Sequence, residues 1–101
     1  MHRAGEGTYA YMFNNCTNLQ NAPELSLLTL ADYCYEGMFN GCRNLNYVVM
    51  LATDISAEGC LDNWLDGVYD LRGTFVKNAA ATWDDSDANL PVGWTVEYEE
   101  Y

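Results

Sequence analysis

Four cysteines carry the most reactive side chains of this chain, and they fall into two pairs with the same spacing. Cys16 and Cys42 are separated by the same interval along the chain as Cys34 and Cys60. Zinc sites use closely spaced pairs such as C-x-x-C, and a nucleophilic cysteine needs a histidine base. The chain has no C-x-x-C, and its only histidine is His2. The spacing therefore favours small buried apolar cysteines, with one or two disulfides between equivalent positions as the alternative.

Carboxylates are the second group with potential chemistry, since the chain has fifteen acidic residues. General acid–base catalysis needs one carboxyl group in a desolvated setting, whereas the internal acidic residues all lie in polar sequence contexts. Asp84, Asp85 and Asp87 offer oxygen ligands for calcium, but their spacing does not match an EF-hand, and a solvated loop is the simpler interpretation. The sequence predicts no catalytic, cofactor-binding or metal-binding residue, and therefore no enzyme.

The charge and the hydropathy limit the partners. Only four lysines and arginines oppose the acids, for a formal net charge of −11, so we expect no nucleic-acid partner. Solubility explains the acidity most simply, and attraction of a cationic partner or divalent ions is the alternative. No segment is long and apolar enough to span a membrane, and residues 1–8 contain no apolar stretch of a signal peptide. This leaves an intracellular protein, a virion component or a fragment of a longer exported chain.

The segments that carry the cysteines repeat with the same period. The sequence YAYMFNNCTNL at residues 9–19 returns as YEGMFNGCRNL at residues 35–45. A repeat of this length is one supersecondary unit that stacks on its neighbour. We expect a flexible lead-in over 1–8, two repeats over 9–59, and a degenerate third repeat with a C-terminal cap over 60–101. Trp64 occupies the position of Met12 and Met38 in that third repeat.

Local patterns predict the elements within each unit. The β-branched and aromatic run at 47–51 predicts a strand, whereas Pro23 interrupts the equivalent segment and makes it short or an edge. The cysteine-bearing segments 30–39 and 57–65 are expected to be short helical or turn-rich legs. In the tail we expect strands at 74–76 and 94–96, with a polar, loop-like stretch between them.

The repeated motifs resemble a known family. Met-Phe-x-x-Cys-x-x-Leu, then Ala-Pro-Glu-Leu, then Thr-Leu-Ala-x-Tyr-Cys-Tyr-x-x-Met-Phe is similar to the BspA-like leucine-rich repeats of gut Bacteroidetes surface proteins, and GTFVK at 73–77 resembles the ending of such arrays. The resemblance covers about residues 9–97. It implies an α/β repeat fold, namely a short leucine-rich-repeat solenoid of about 26-residue coils with a small parallel sheet and a C-terminal cap.

The same resemblance implies a non-enzymatic binding or adhesion module, extracellular or on the cell surface, with a protein or glycan partner. A structural or attachment component of a bacteriophage virion and an intracellular scaffold are the alternatives, and a homo-oligomer or a longer repeat array would complete the stack. Exposed aromatics favour such contacts, and the candidates are Tyr11, Tyr33, Tyr47 and Tyr69. The expected structural core comprises Met12, Phe13, Cys16, Leu19, Leu25, Met38, Phe39, Cys42, Leu45, Leu51 and Trp64.

Overall fold

A computed structural model describes Gly7, residues 9–69 and residues 72–100. Within this part of the chain lie three strands, β1 (Tyr47–Met50), β2 (Thr74–Asn78) and β3 (Thr95–Glu99), and one turn of 3₁₀-helix at Asp85–Ala88. The strands form one parallel sheet in the order β1-β2-β3. The small parallel sheet expected from the sequence is thus confirmed, and the expected lead-in at 1–8 falls almost entirely outside the described residues.

Strand β1 forms where the β-branched run predicted it. Val48 and Met50 are fully buried, and Val48 pairs with Phe75 of β2. On its other side β1 meets the first repeat only at isolated bridges, which join Asn21 to Tyr47 and Leu25 to Met50. Pro23 lies between these two bridges and has no N–H group to donate, so a continuous ladder does not form there.

The three legs are built from turns and not from α-helix. They comprise Gly7 with 9–16, then 33–42, then 59–68, and we call them the first, second and third leg. In the first and second legs, even-numbered residues close turns, as where Met38 N–H donates to Tyr35 O at 3.1 Å. Odd-numbered residues of these legs donate to the next leg, as where Phe39 N–H donates to Trp64 O at 2.8 Å. Because alternate N–H groups bond between legs, the i→i−4 pattern of the expected helical legs cannot form. The turn-rich alternative is the one observed.

Every fourth residue of a leg adopts a left-handed backbone conformation with positive φ. The positions coincide in all three legs because they follow the period of the repeat. Glycine and asparagine adopt this conformation most readily and occupy most of these sites. The nine residues are Gly7, Tyr11 and Asn15, then Tyr33, Gly37 and Gly41, then Gly59, Asn63 and Gly67.

An aromatic column links the legs to the sheet through the core. The Phe13 and Phe39 rings stack at 5.5 Å, and Phe39 lies 6.2 Å from Trp64. Trp64 then makes a T-shaped contact with Phe75 on β2, with ring centroids 6.1 Å apart. The Trp64 indole N–H also donates to the carbonyl oxygen of the buried Ala88 at 2.6 Å, which ties the 3₁₀ turn to the third leg. The stretch between β2 and β3, expected to be loop-like, therefore contains one ordered 3₁₀ turn.

The expected core residues divide by their place in the stack. Met12, with 51% of its surface exposed, and Cys16, which is also exposed, do not belong to the core, so these two predictions are wrong. Both lie in the first leg, over which no described layer packs, whereas their equivalents in the second leg are covered on both sides. Phe13 and Leu19 are half-buried, and the buried members are Leu25, Met38, Phe39, Cys42, Leu45, Leu51 and Trp64.

Candidate functional site

Two tyrosines on the outer side of the legs have an unusual backbone conformation. Tyr11 and Tyr33 both have φ of 58°, in the left-handed region that a bulky residue rarely occupies. Tyr11 is half exposed and Tyr33 is partly exposed. They belong to adjacent legs and are offset from each other by one turn, because Tyr33 is equivalent to Gly7 and Tyr11 to Gly37. The structure therefore places two of the four predicted binding tyrosines on one outer surface, which we call the tyrosine face.

Each of these two rings packs against a glycine of the next leg. A Cβ atom added to Gly37 would overlap the Tyr11 ring, and one added to Gly59 would overlap the Tyr33 ring. Each ring thus lies directly against a backbone that has no side chain at that point. The ring is held in place by its own turn and by the glycine below it. A side chain restrained in this way loses little further conformational entropy when it contacts a partner.

Carboxylates surround the Tyr33 phenol. The pKa of Tyr33 is raised above its ordinary value, chiefly by the negative charge of Glu58, then by partial burial, and then by Glu36, Asp32 and Asp62. These charges disfavour the phenolate. The Asp32 carboxylate also accepts the Glu58 backbone N–H at 3.0 Å and so joins the residues that directly precede the second and third legs. The tyrosine face therefore has an uncharged phenol at Tyr33, surrounded by acidic side chains.

Replacing Glu58 by glutamine is expected to lower the pKa of Tyr33 toward the value of a free tyrosine. The reason is that the largest charge opposing the phenolate is removed while the side-chain shape is kept. Titration of ¹³C-labelled tyrosine by NMR would follow Tyr33 separately from the other tyrosines. Glu24→Gln, a change of an exposed carboxylate in the first repeat, serves as the control and should leave the Tyr33 titration unmoved. An equal shift in both variants would contradict the assigned cause.

The other two predicted tyrosines lie elsewhere. Tyr69, 69% exposed, follows the third leg and lines a polar hollow with Asn15 and Arg43. Tyr47 is 37% exposed and belongs to strand β1, so it lies on the sheet and not on the legs. The structure therefore does not bring all four tyrosines into one site. One feature of the sequence distinguishes Tyr11 and Tyr33 from the other two tyrosines. The equivalent position in the next repeat is a glycine in both cases, Gly37 for Tyr11 and Gly59 for Tyr33.

The outer edge of the first leg is a second feature, and sequence reasoning did not identify it. A hollow of about 270 Å³ opens there between Tyr9, Met12, Phe13 and Leu27. Within the described residues, the backbone carbonyl groups of this leg at positions 10, 12 and 14 accept no hydrogen bond. Their equivalents in the second leg accept bonds from the first, at 2.7–2.9 Å. This edge thus has the carbonyl acceptors and apolar side chains with which one leg contacts another. No described layer lies above it.

The remaining polar groups show no arrangement of metal ligands. Across Gly7, 9–69 and 72–100, no group of three or more His, Cys, Asp or Glu residues is placed to hold a metal ion. Asp84 and Asp87 instead bond to each other across the 3₁₀ turn, where the Asp87 carboxylate accepts the Asp84 N–H at 3.1 Å. Lys77 is buried on β2, donates to the Trp83 carbonyl and lies 4.3 Å from the Trp83 ring.

The 3₁₀ turn in the described part of the chain is neither long nor apolar enough to cross a bilayer. The chain matches no known family model, no curated protein and no solved structure.

Proposed function

We propose that this chain is a non-enzymatic binding module of the leucine-rich-repeat type, similar to the BspA-like repeats, which presents the tyrosine face to a protein or glycan partner. The single observation that carries the proposal is the pair of tyrosine rings held at positive φ against glycines of the next leg. Residues retained in a strained backbone conformation are concentrated at functional sites. Tyrosine is also a residue type enriched where proteins bind each other.

Rigid tyrosines suit this role for a physical reason. A ring buries a large apolar area, and its hydroxyl group supplies a hydrogen bond to a polar partner. Tyr11 and Tyr33 bring two such rings to neighbouring legs, so one partner can contact both. The surrounding carboxylates repel anionic partners such as nucleic acid, which agrees with the net charge of −11. An extracellular or cell-surface location, as part of a longer exported chain, belongs to the same proposal.

The proposal is tested by binding measurements with paired variants. The chain is screened against a printed glycan array and a panel of purified secreted proteins, and each hit is measured again with Tyr11→Asn/Tyr33→Asn. Asparagine tolerates positive φ, so the backbone conformation is kept while the rings are removed. We expect this double variant to weaken binding at least about tenfold, since loss of aromatic anchors costs about 2 kcal/mol or more.

Tyr47→Asn is the matched control because it removes an exposed ring from the sheet. It should leave the affinity within about twofold. Loss of binding in Tyr47→Asn with retention in the double variant would assign recognition to the sheet and contradict the proposed surface. If the chain binds nothing on the glycan array and nothing in the protein panel, a glycan or secreted-protein partner is contradicted.

A second candidate function is a structural component of a larger assembly, such as a virion fibre or decoration module. The open outer edge of the first leg, with its apolar hollow and its row of carbonyl groups, favours this alternative. Light scattering after size-exclusion chromatography at two concentrations distinguishes the two functions. A stable trimer or larger assembly would support the structural role. A monomer near 11.4 kDa would contradict it and support the binding module.

A further inference from the structure

One pair of cysteines occupies equivalent positions in two adjacent legs and shares a hydrogen-bond acceptor. The Phe13 carbonyl oxygen accepts the backbone N–H of Cys16 at 3.1 Å and the thiol of Cys42 at 2.9 Å. Cys42 therefore extends its sulfur from the second leg to the turn of the first leg that Cys16 closes. The Cys16 backbone N–H and the Cys42 sulfur thus meet at the same oxygen atom, which places the two residues next to each other.

Backbone hydrogen bonds between the two legs continue up to this pair. On the Phe13 side, Phe13 N–H donates to Met38 O at 2.9 Å, and the next bond toward Cys16 joins Asn15 N–H to Asn40 O at 2.7 Å. Chains joined by such a ladder run about 4.8 Å apart. Disulfides span Cα separations of roughly 4.4–6.8 Å, so equivalent positions of the two legs fall within this range.

The two thiols differ in their access to solvent. Cys16 is exposed, whereas Cys42 is fully buried, and its burial raises the pKa of the Cys42 thiol. A solution disulfide therefore meets Cys16 first, and Cys42 is the resolving partner. The other equivalent pair, Cys34 and Cys60, is buried at both ends, and burial raises the pKa of Cys60 to about 11. That pair offers no exposed thiol to begin the exchange.

We propose that Cys16 and Cys42 form an interlayer disulfide that locks the first leg onto the second when the chain meets a low-molecular-weight disulfide. The Cys16 thiolate attacks one sulfur of the reagent, which forms a mixed disulfide and releases one small thiolate. Cys42 then loses its proton, attacks the Cys16 sulfur and releases the second small thiolate. The two protein thiols lose two electrons and two protons in total, and the small disulfide is reduced to two small thiols.

The bond would act on a leg that the described residues cover on one side only. The first leg packs on the second along one side only, and its residues Met12 and Cys16 remain exposed. A disulfide there closes the loop that runs from Cys16 to Cys42, one full repeat, and restricts the unfolded chain. It would also hold in place the leg that carries Tyr11. The disulfide would form whether or not that tyrosine binds a partner.

The reduced chain is equilibrated with oxidised and reduced glutathione, quenched by alkylation and mapped by peptide mass spectrometry. We expect a linked Cys16–Cys42 peptide, a loss of two hydrogen atoms in intact mass and two remaining free thiols of the original four. The thermal unfolding midpoint should rise by roughly 10 °C and fall back on reduction.

Two variants keep this test decisive. Cys16→Ser changes an exposed side chain, so it should fold, form no link and show no rise in midpoint. Cys34→Ser removes the other equivalent pair and should still form the Cys16–Cys42 link. The proposal is overturned if Cys16 stops at a glutathione adduct, if the linked peptide joins Cys34 to Cys60, or if the bond forms without raising the midpoint.

Discussion

Replacement of Trp64 by alanine is expected to lower the free energy of unfolding by about 3–5 kcal/mol, the usual cost of truncating a large buried aromatic residue. Trp64 is fully buried and lies against Tyr35, Phe39 and Phe75 at ring distances of 6.1–6.4 Å. Its removal would also leave the buried Ala88 carbonyl without its indole donor. Since domains of this size are stable by only about 5–15 kcal/mol, much of the total stability is at stake. Urea unfolding followed by far-ultraviolet circular dichroism measures the loss.

The matched control occupies the same repeat position two units earlier. Met12→Ala truncates a half-exposed side chain in the first leg and should cost less than about 1 kcal/mol. If both variants lose the same free energy of unfolding, the position within the repeat sets the loss, and burial by neighbouring layers does not. A cost for Trp64→Ala as small as that expected for Met12→Ala would contradict the aromatic column as the centre of the core.

Gly67→Ala is expected to destabilise the chain by about 2–4 kcal/mol, through backbone strain and a steric clash together. Gly67 has φ of 80°, and the left-handed conformation costs an L-residue about 1–2 kcal/mol. A Cβ atom there would also lie 3.0 Å from the Gly41 nitrogen and 3.1 Å from its Cα atom. These are backbone atoms of the second leg, which cannot rotate away as a side chain can, so the third leg would have to shift. Chemical denaturation of the variant against the parent chain gives the change.

Gly7→Ala separates the two contributions to this cost. Gly7 is the first positive-φ glycine, with φ of 64°, but a Cβ atom there would have no neighbour within 4 Å. Its replacement should cost only the conformational part, about 1–2 kcal/mol. The difference between the two variants then measures the close approach of the second and third legs. Equal costs for the two variants would show that this close approach carries no energy.

Several parts of the fold follow from local sequence. The Tyr47–Met50 strand forms because consecutive β-branched and aromatic residues favour an extended chain. Pro23 limits its neighbour to isolated bridges because it has no N–H group. The repeat period, visible in the cysteines, also sets the spacing of the positive-φ positions, such as Gly41 and Gly67. Each of these features depends on a residue's own backbone preference or on exact repetition.

The candidate site depended on contacts between legs. Tyr35, Met38 and Phe39 have the spacing of a helix face, yet they lie in turns because alternate N–H groups bond to the third leg. Tyr11 and Tyr33 could be proposed from composition alongside Tyr47 and Tyr69, but composition gave no reason to separate the first pair from the second. The glycines that contact the Tyr11 and Tyr33 rings belong to the neighbouring leg, one repeat further along the chain.

The repeat period, the strand positions and the lack of a continuous ladder at Pro23 can all be read from the residues themselves, because they follow from repetition and local conformational preferences. Contacts between legs, by contrast, set the exposure of Met12 and Cys16 and the burial of their equivalents Met38 and Cys42. The residue types are identical in each pair, so no local property distinguishes them. Burial depends on whether another layer covers the leg, and that is a property of the stack.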